Sequence, residues 1–264
     1  MLEKSQGIVY NRIKNAKGEA IMKFNYGLQM YSVRDITKSD LKGAIKKVAE
    51  LGYKYLEFAG FFDNSAEDVK AWMDECGVSC SGTHSPWLDL KPDKILETVK
   101  YHKTIGNPHY IIPGADLSTL EKIEEFVNVM NFAQPILAAE GITLGYHNHS
   151  GEFKVMPWGS TIHSELEKRT NILFEIDTYW AFNAGIDPIA TMERLKDRIK
   201  VIHLKDGYAD GRGMALGEGE APVKAIREKA IEIGLTMVVE SETLSPDGIS
   251  EVGRCINYLR SLEA

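Results

Sequence analysis

Histidines and acids close a set of short β-branched runs in this chain, and their types and order suit a divalent cation. Ser79 to Thr83 leads into His84, Thr143 to Tyr146 into His147-Asn148-His149, and Ile172 to Ile176 into Asp177. The run Lys200 to Leu204 carries His203 and is followed by Lys205-Asp206, and Met237 to Val239 leads into Glu240. Histidine, aspartate, histidine and glutamate supply two neutral nitrogens and two anionic oxygens, a donor set for Mn, Co, Zn or Fe(II). The two-residue period of a strand puts His147 and His149 on one face, so one can ligate while the other meets substrate. Each residue alone also has a structural use: Asp177 can cap a following helix, Glu240 can pair with a lysine, and His84, Trp87 and Trp180 can pack. For the tryptophans the alternative is an aromatic wall beside a sugar ring. Their joint arrival on strands five to eight is what argues for a site.

The elements that must position these groups follow from periodicity. Eight candidate strands run over 26–30, 55–58, 79–83, 110–112, 143–146, 172–176, 200–204 and 237–239. Between them lie apolar residues at helical spacing, such as Leu41/Ile45/Val48 and Val223/Ile226/Ala230/Ile233, with weaker helices at 92–105 and 160–168. Ser39 and Asp187-Pro188 read as helix starts, and Gly52, Gly141 and Gly234 as helix ends. The runs begin roughly 30 residues apart, the length of one parallel βα unit, so the expected fold is α/β, a single closed (β/α)8 barrel. Its chemistry belongs at the C-terminal ends of the strands, where the polar residues fall. A doubly wound sheet would offer a glycine-rich phosphate loop early in the chain, and neither GxGxxG nor a P-loop is present. Gly217-Glu218-Gly219 follows the seventh strand, where barrels often bind phosphate, but is too short a motif to decide anything alone.

Composition narrows the partners. With 31 basic and 38 acidic residues the net charge is −7, which disfavours a phosphate backbone as partner. No apolar stretch approaches the ~20 residues of a membrane span. Three cysteines, Cys76, Cys80 and Cys255, fit neither a disulfide framework nor a zinc ribbon, and a cytoplasmic setting is expected. Residues 1–21 are polar and lack a signal-peptide core; they read as an N-terminal extension, with Met22 an alternative start, and 22–264 as one barrel domain.

Five segments in order make the chain resemble a known family: Gly27 to Asp35 (GLQMYSVRD), Tyr146 to His149 (YHNH), Glu175 to Thr178 (EIDT), Ile202 to Asp206 (IHLKD) and Val238 to Glu240 (VVE). They are similar to the xylose isomerase-like TIM barrels, the sugar phosphate isomerases/epimerases, over nearly everything after Met22. The resemblance implies one divalent metal held by residues that follow strands five to eight, and three of these carry over as Asp177, His203 and Glu240. At strand five His147 stands where the family's ketose 3-epimerases have glutamate.

That departure bears on mechanism. Glu240 can serve as ligand and base, since a carboxylate bound through one oxygen keeps the other free. Epimerisation needs a second group on the opposite face, for which Glu152 or His149 is the candidate, because a metal-bound histidine has no spare lone pair. One-sided chemistry is the other course: aldose–ketose isomerisation, or β-elimination from a 3-keto-glycoside as a lyase or hydratase. His84, Trp180, Lys205 and Asp206 are expected to bind a small sugar substrate. The main expectation is a metal-dependent sugar isomerase/epimerase working through an enediolate, with the lyase and a catalytically inactive sugar-binding barrel as alternatives. An endonuclease for abasic DNA would need more metal ligands and a basic surface. The sequence leaves the oligomeric state open, a homo-oligomer included.

Overall fold

A computed structural model describes residues 22–263, so the expected extension at 1–21 lies outside the described residues. The strands are β1 (Gly27–Gln29), β2 (Tyr55–Phe58), β3 (Ser79–His84), β4 (His109–Ile112), β5 (Thr143–His147), β6 (Leu173–Asp177), β7 (Ile199–Leu204), β8 (Asp206–Gly207), β9 (Gly213–Met214) and β10 (Thr236–Val239). Eight of them close a barrel in the order β1-β10-β7-β6-β5-β4-β3-β2, parallel throughout, and β8 and β9 form a small antiparallel pair after the seventh barrel strand. The expected (β/α)8 fold is the observed one.

Helices α1 (Arg34–Thr37), α2 (Leu41–Leu51), α3 (Ala66–Cys76), α4 (Ile95–Thr104) and α5 (Leu120–Ala139) belong to the first half of the ring. The second half has α6 (Ile162–Arg169), α7 (Thr178–Asn183), α8 (Pro188–Arg194), α9 (Val223–Ile233) and α10 (Gly248–Ser261). Each long helix buries one stripe against the barrel; in α2 it is Leu41, Ala44, Ile45 and Val48. Asp40, not Ser39, caps α2 by accepting the Gly43 N–H at 2.8 Å, a one-residue shift from expectation, while Ser39 bonds back to the Ile36 carbonyl. Asp187 caps α8 with Pro188 in its first turn, as expected. Gly52 and Gly234 end α2 and α9 at φ +104° and +84°, where a side chain is strained.

Outward strand residues such as Leu56, Phe58, Leu144, Phe174, Ile202 and Val239 belong to one buried apolar cluster with the helices. The lumen near the C-terminal ends is different. There Glu57 of β2 meets His203 of β7, and His84 of β3 meets Glu175 of β6, pairs on strands that are not neighbours and so meet across the interior. A polar layer replaces the aliphatic filling usual at this height.

Candidate active site

Parallel pairing sets the site. Asp177 is in register with His203, and His203 with Val238, so the ends of β6, β7 and β10 come level and Glu240 stands just past its strand. Asn148 fixes the β5 end to β6: its amide donates to the Asp177 carbonyl at 3.2 Å and accepts the Asp177 N–H at 3.1 Å. That clamp leaves His147 facing the lumen.

His147, Asp177, His203 and Glu240 each offer a ligand atom, all within 4.8 Å of one another. His147 Nε2 lies 3.5 Å from Asp177 Oδ2, and His203 Nδ1 lies 3.4 Å from Glu240 Oε2 and 3.8 Å from Asp177 Oδ2. Both nitrogens of His147, Oδ2 of Asp177 and Nδ1 of His203 are buried without a hydrogen-bond partner. Orphaned buried atoms are costly, and one nitrogen of His147 converging with Asp177 Oδ2 and His203 Nδ1 fits a cation. Asp177 serves twice: Oδ1 accepts the Trp180 N–H at 2.8 Å as the cap of α7, and Oδ2 turns inward.

Beneath this cluster lies a second layer. Glu57 Oε1 accepts from His203 Nε2 at 2.8 Å and from Gln29 Nε2 at 2.6 Å, and lies 3.1 Å from His84 Nε2. Glu175 Oε2 is 2.7 Å from His84 Nε2 and 3.3 Å from His203 Nε2. His84, His147, Glu175 and His203 form a second group that can hold a metal, sharing two residues with the first. Glu57 is thereby the carboxylate behind His203, fixing which nitrogen points at the outer cluster.

Charge follows from these contacts. Burial would raise Glu57, but His84 and His203 outweigh it and hold the carboxyl down at about 2. Burial, then the charge of Glu57, pushes Glu175 well above the usual carboxylate range. Burial raises Asp177 despite Lys205 nearby. Against burial, Lys205 and His203 hold Glu240 well below its usual range, and the acids Glu175, Glu57 and Glu240 draw His203 up. His147 is pushed down by burial and by the neighbouring His203 and His84.

The other expected site residues fall in different places. Lys205 is buried, 2.9 Å from Glu240 Oε2 and bonded also to Glu242, with its ammonium 4.8 Å from the Trp180 ring centre. His149 is exposed and packs on His147 at 4.9 Å and on Trp180 at 5.9 Å, forming one wall of the mouth. Glu152 belongs to neither ligand group: its oxygens accept from the Tyr146 hydroxyl at 3.0 Å and the His149 N–H at 2.9 Å, which ties down the loop after β5. His84 Nε2 faces the inner acids Glu57 and Glu175. Asp206, expected to meet substrate, is 1% exposed with both oxygens filled by backbone N–H groups of its own loop. Sequence reasoning passed over Glu57 and Glu175. The available signal was an acid inside an otherwise apolar strand, Leu56-Glu57-Phe58 and Phe174-Glu175-Ile176, where burial demands a partner.

Comparison with known proteins agrees with the fold. A family model described as xylose isomerase-like TIM barrel matches residues 45–262. Inosose dehydratase of Geobacillus kaustophilus (strain HTA426) is 23% identical over 188 residues, 61% of this chain, and the match spans 60% of the length of that relative. A sugar phosphate isomerase/epimerase from Parabacteroides distasonis ATCC 8503 superposes with a TM-score of 0.77 at 25% identity, covering 93% of this chain and 97% of that one. The probable 3-DHS dehydratase AsbF of Bacillus anthracis gives 0.70 at 12% identity, covering 90% and 99%, a likeness of fold alone. Among the described residues no helix is long and apolar enough to cross a membrane.

Proposed function

Given that the chain belongs to the xylose isomerase-like TIM barrel family, we propose that it is a metal-dependent enzyme that removes a proton next to the carbonyl of a sugar or related polyol ketone, working on one face. The observation that carries this reading is the convergence of unpartnered atoms of His147, Asp177 and His203 beside Glu240. Those four residues would hold one divalent ion. When bound, the ion would supply Lewis acidity at the carbonyl oxygen, easing ionisation of the neighbouring C–H.

The chain's own groups do the rest. Glu240, kept ionised by Lys205 and His203, accepts the proton. Trp180 and His149 offer a flat side against which a ring can lie. Glu152 is tied to the Tyr146 hydroxyl and the His149 N–H, so in this one-sided reading its part is to position His149. A single base returning the proton to the adjacent carbon is an isomerase, and this is the leading reading. A specific observation favours a second one: Lys205, a buried ammonium 2.9 Å from the base, can protonate a departing hydroxyl, which is the elimination named in the dehydratase relative.

Incubation with ketoses, 3-keto-glycosides and inososes in D2O, followed by NMR, tests the proposal. Deuterium beside the carbonyl is expected, with rearranged product marking an isomerase and an unsaturated one a dehydratase. Lack of exchange with every compound, in protein shown to hold its metal, would leave the sugar-binding barrel in its place.

A further inference from the structure

The loop after β7 is where a barrel of this kind can seat a phosphate, on backbone N–H groups gathered by glycines before a helix. Here the gathering exists, but a side chain of the same loop occupies it. Asp206 Oδ1 accepts the N–H groups of Gly207 at 2.8 Å and Ala221 at 3.1 Å, and Oδ2 those of Gly217 at 2.8 Å and Gly219 at 3.1 Å. The fit is close: a Cβ on Gly219 would lie 2.3 Å from Asp206 Oδ1, and one on Gly207 would lie 2.4 Å from the Arg212 carbonyl oxygen. Two cations near this loop are taken as well. Glu218, between the two glycines, holds Arg254 at 2.7 Å, and Lys205 is bonded to Glu240 and Glu242.

We propose that Asp206 is a built-in anion filling the phosphate nest, and that the enzyme therefore takes an unphosphorylated sugar or polyol ketone. The substrate class rests on the reaction proposed above; the filled nest does not. A phosphate ester would have to displace a buried carboxylate from four N–H groups and then face it at close range. The nearest cation beyond it, Lys205, is already paired with Glu240 and Glu242. The motif Gly217-Glu218-Gly219 thus has a use: its N–H groups fold the loop around Asp206 and bring Glu218 to Arg254.

Titration of isotope-labelled protein with inorganic phosphate, following the amide signals of Gly217 and Gly219, tests the nest directly. Wild-type signals should stay in place at millimolar phosphate, and those of a folded Asp206→Ala protein should move. Movement in the wild type, or none in the folded variant, would overturn the proposal; if the variant does not fold, the wild-type titration decides alone. Paired substrates test the class: a free ketose should exceed its terminal phosphate by at least ~50-fold in binding or deuterium exchange, and parity or reversal would overturn it. Absence of exchange with all sugars would count against the enolisation reading, and the amide titration would still decide whether the nest is filled.

Discussion

At the level of single residues, the site is built from side chains that do two jobs. Glu57 is buried and touches no expected substrate position, yet it holds His203 Nε2 at 2.8 Å and is itself fixed by Gln29. Loss of such a carboxylate behind a metal-bound histidine costs about 10- to 100-fold in affinity. Glu57→Gln should therefore bind the ion that much more weakly, read by competition with a chelator. Ala at Asp177 or His203 removes a donor outright, and elemental analysis should find the metal content of either variant sharply reduced. Glu240→Gln should keep the fold and much of the metal while turnover falls at least ~100-fold, the low end of acid–base contributions. The sequence offered the outer four residues as candidates because each lies at or beside the end of its strand, at the rim where barrel chemistry is expected. Glu57 and Glu175 were not among them, since they sit within runs that read as aliphatic filling. The partners of Asp206 and Glu152 were not legible for another reason: they are backbone N–H groups and a tyrosine hydroxyl, whose directions depend on loop shape that periodicity does not carry.

Among the elements, the join of β5 to β6 matters most. Asn148 makes two hydrogen bonds to the Asp177 backbone, and Asn148→Ala would remove both. A loss of about 1–3 kcal/mol is expected in urea unfolding, the usual cost of stranding a buried polar group, with weaker metal binding because His147 and Asp177 lose their spacing. Strands and long helices came readily from the sequence, since each needs only a repeat of buried residues. The short pieces did not: α7 has six residues and β8 and β9 two each, too few for a period to show. The start of α2 slipped by one because Ser39 and Asp40 are both good caps, and only the fold decides which reaches Gly43.

For the molecule as a whole, burial of neutral histidines sets a response to acid. His102 accepts a hydrogen bond from the Asn107 amide at Nδ1, and burial lowers it to about 4; burial likewise lowers His163, which stacks between Phe153 and Phe174, to about 4. An unfolded histidine takes up its proton near ~6.5. Between these values the unfolded chain binds more protons, so stability rises with pH; the contribution is complete above ~6.5 and is lost as pH falls through about 4. The unfolding free energy from urea titrations should drop between pH 7 and 4.5 by on the order of 3 kcal/mol per histidine, and His102→Gln should flatten part of that slope. The ion should act in the opposite direction, with saturating metal raising the melting temperature and a chelator removing the gain.

The shared carboxylate of Asp177 gives the molecule an optical reporter. One oxygen anchors the first turn of the helix that carries Trp180, and the other points to where an ion would sit. The first oxygen meets the backbone N–H of Trp180, and the indole rests 4.8 Å from the ammonium of Lys205, so an ion at the second oxygen should alter the surroundings of the ring. Metal titration should shift the intrinsic fluorescence, and Trp180→Phe should silence that signal while the three other tryptophans remain. Occupancy of the site becomes readable in real time, in the native chain and without a label.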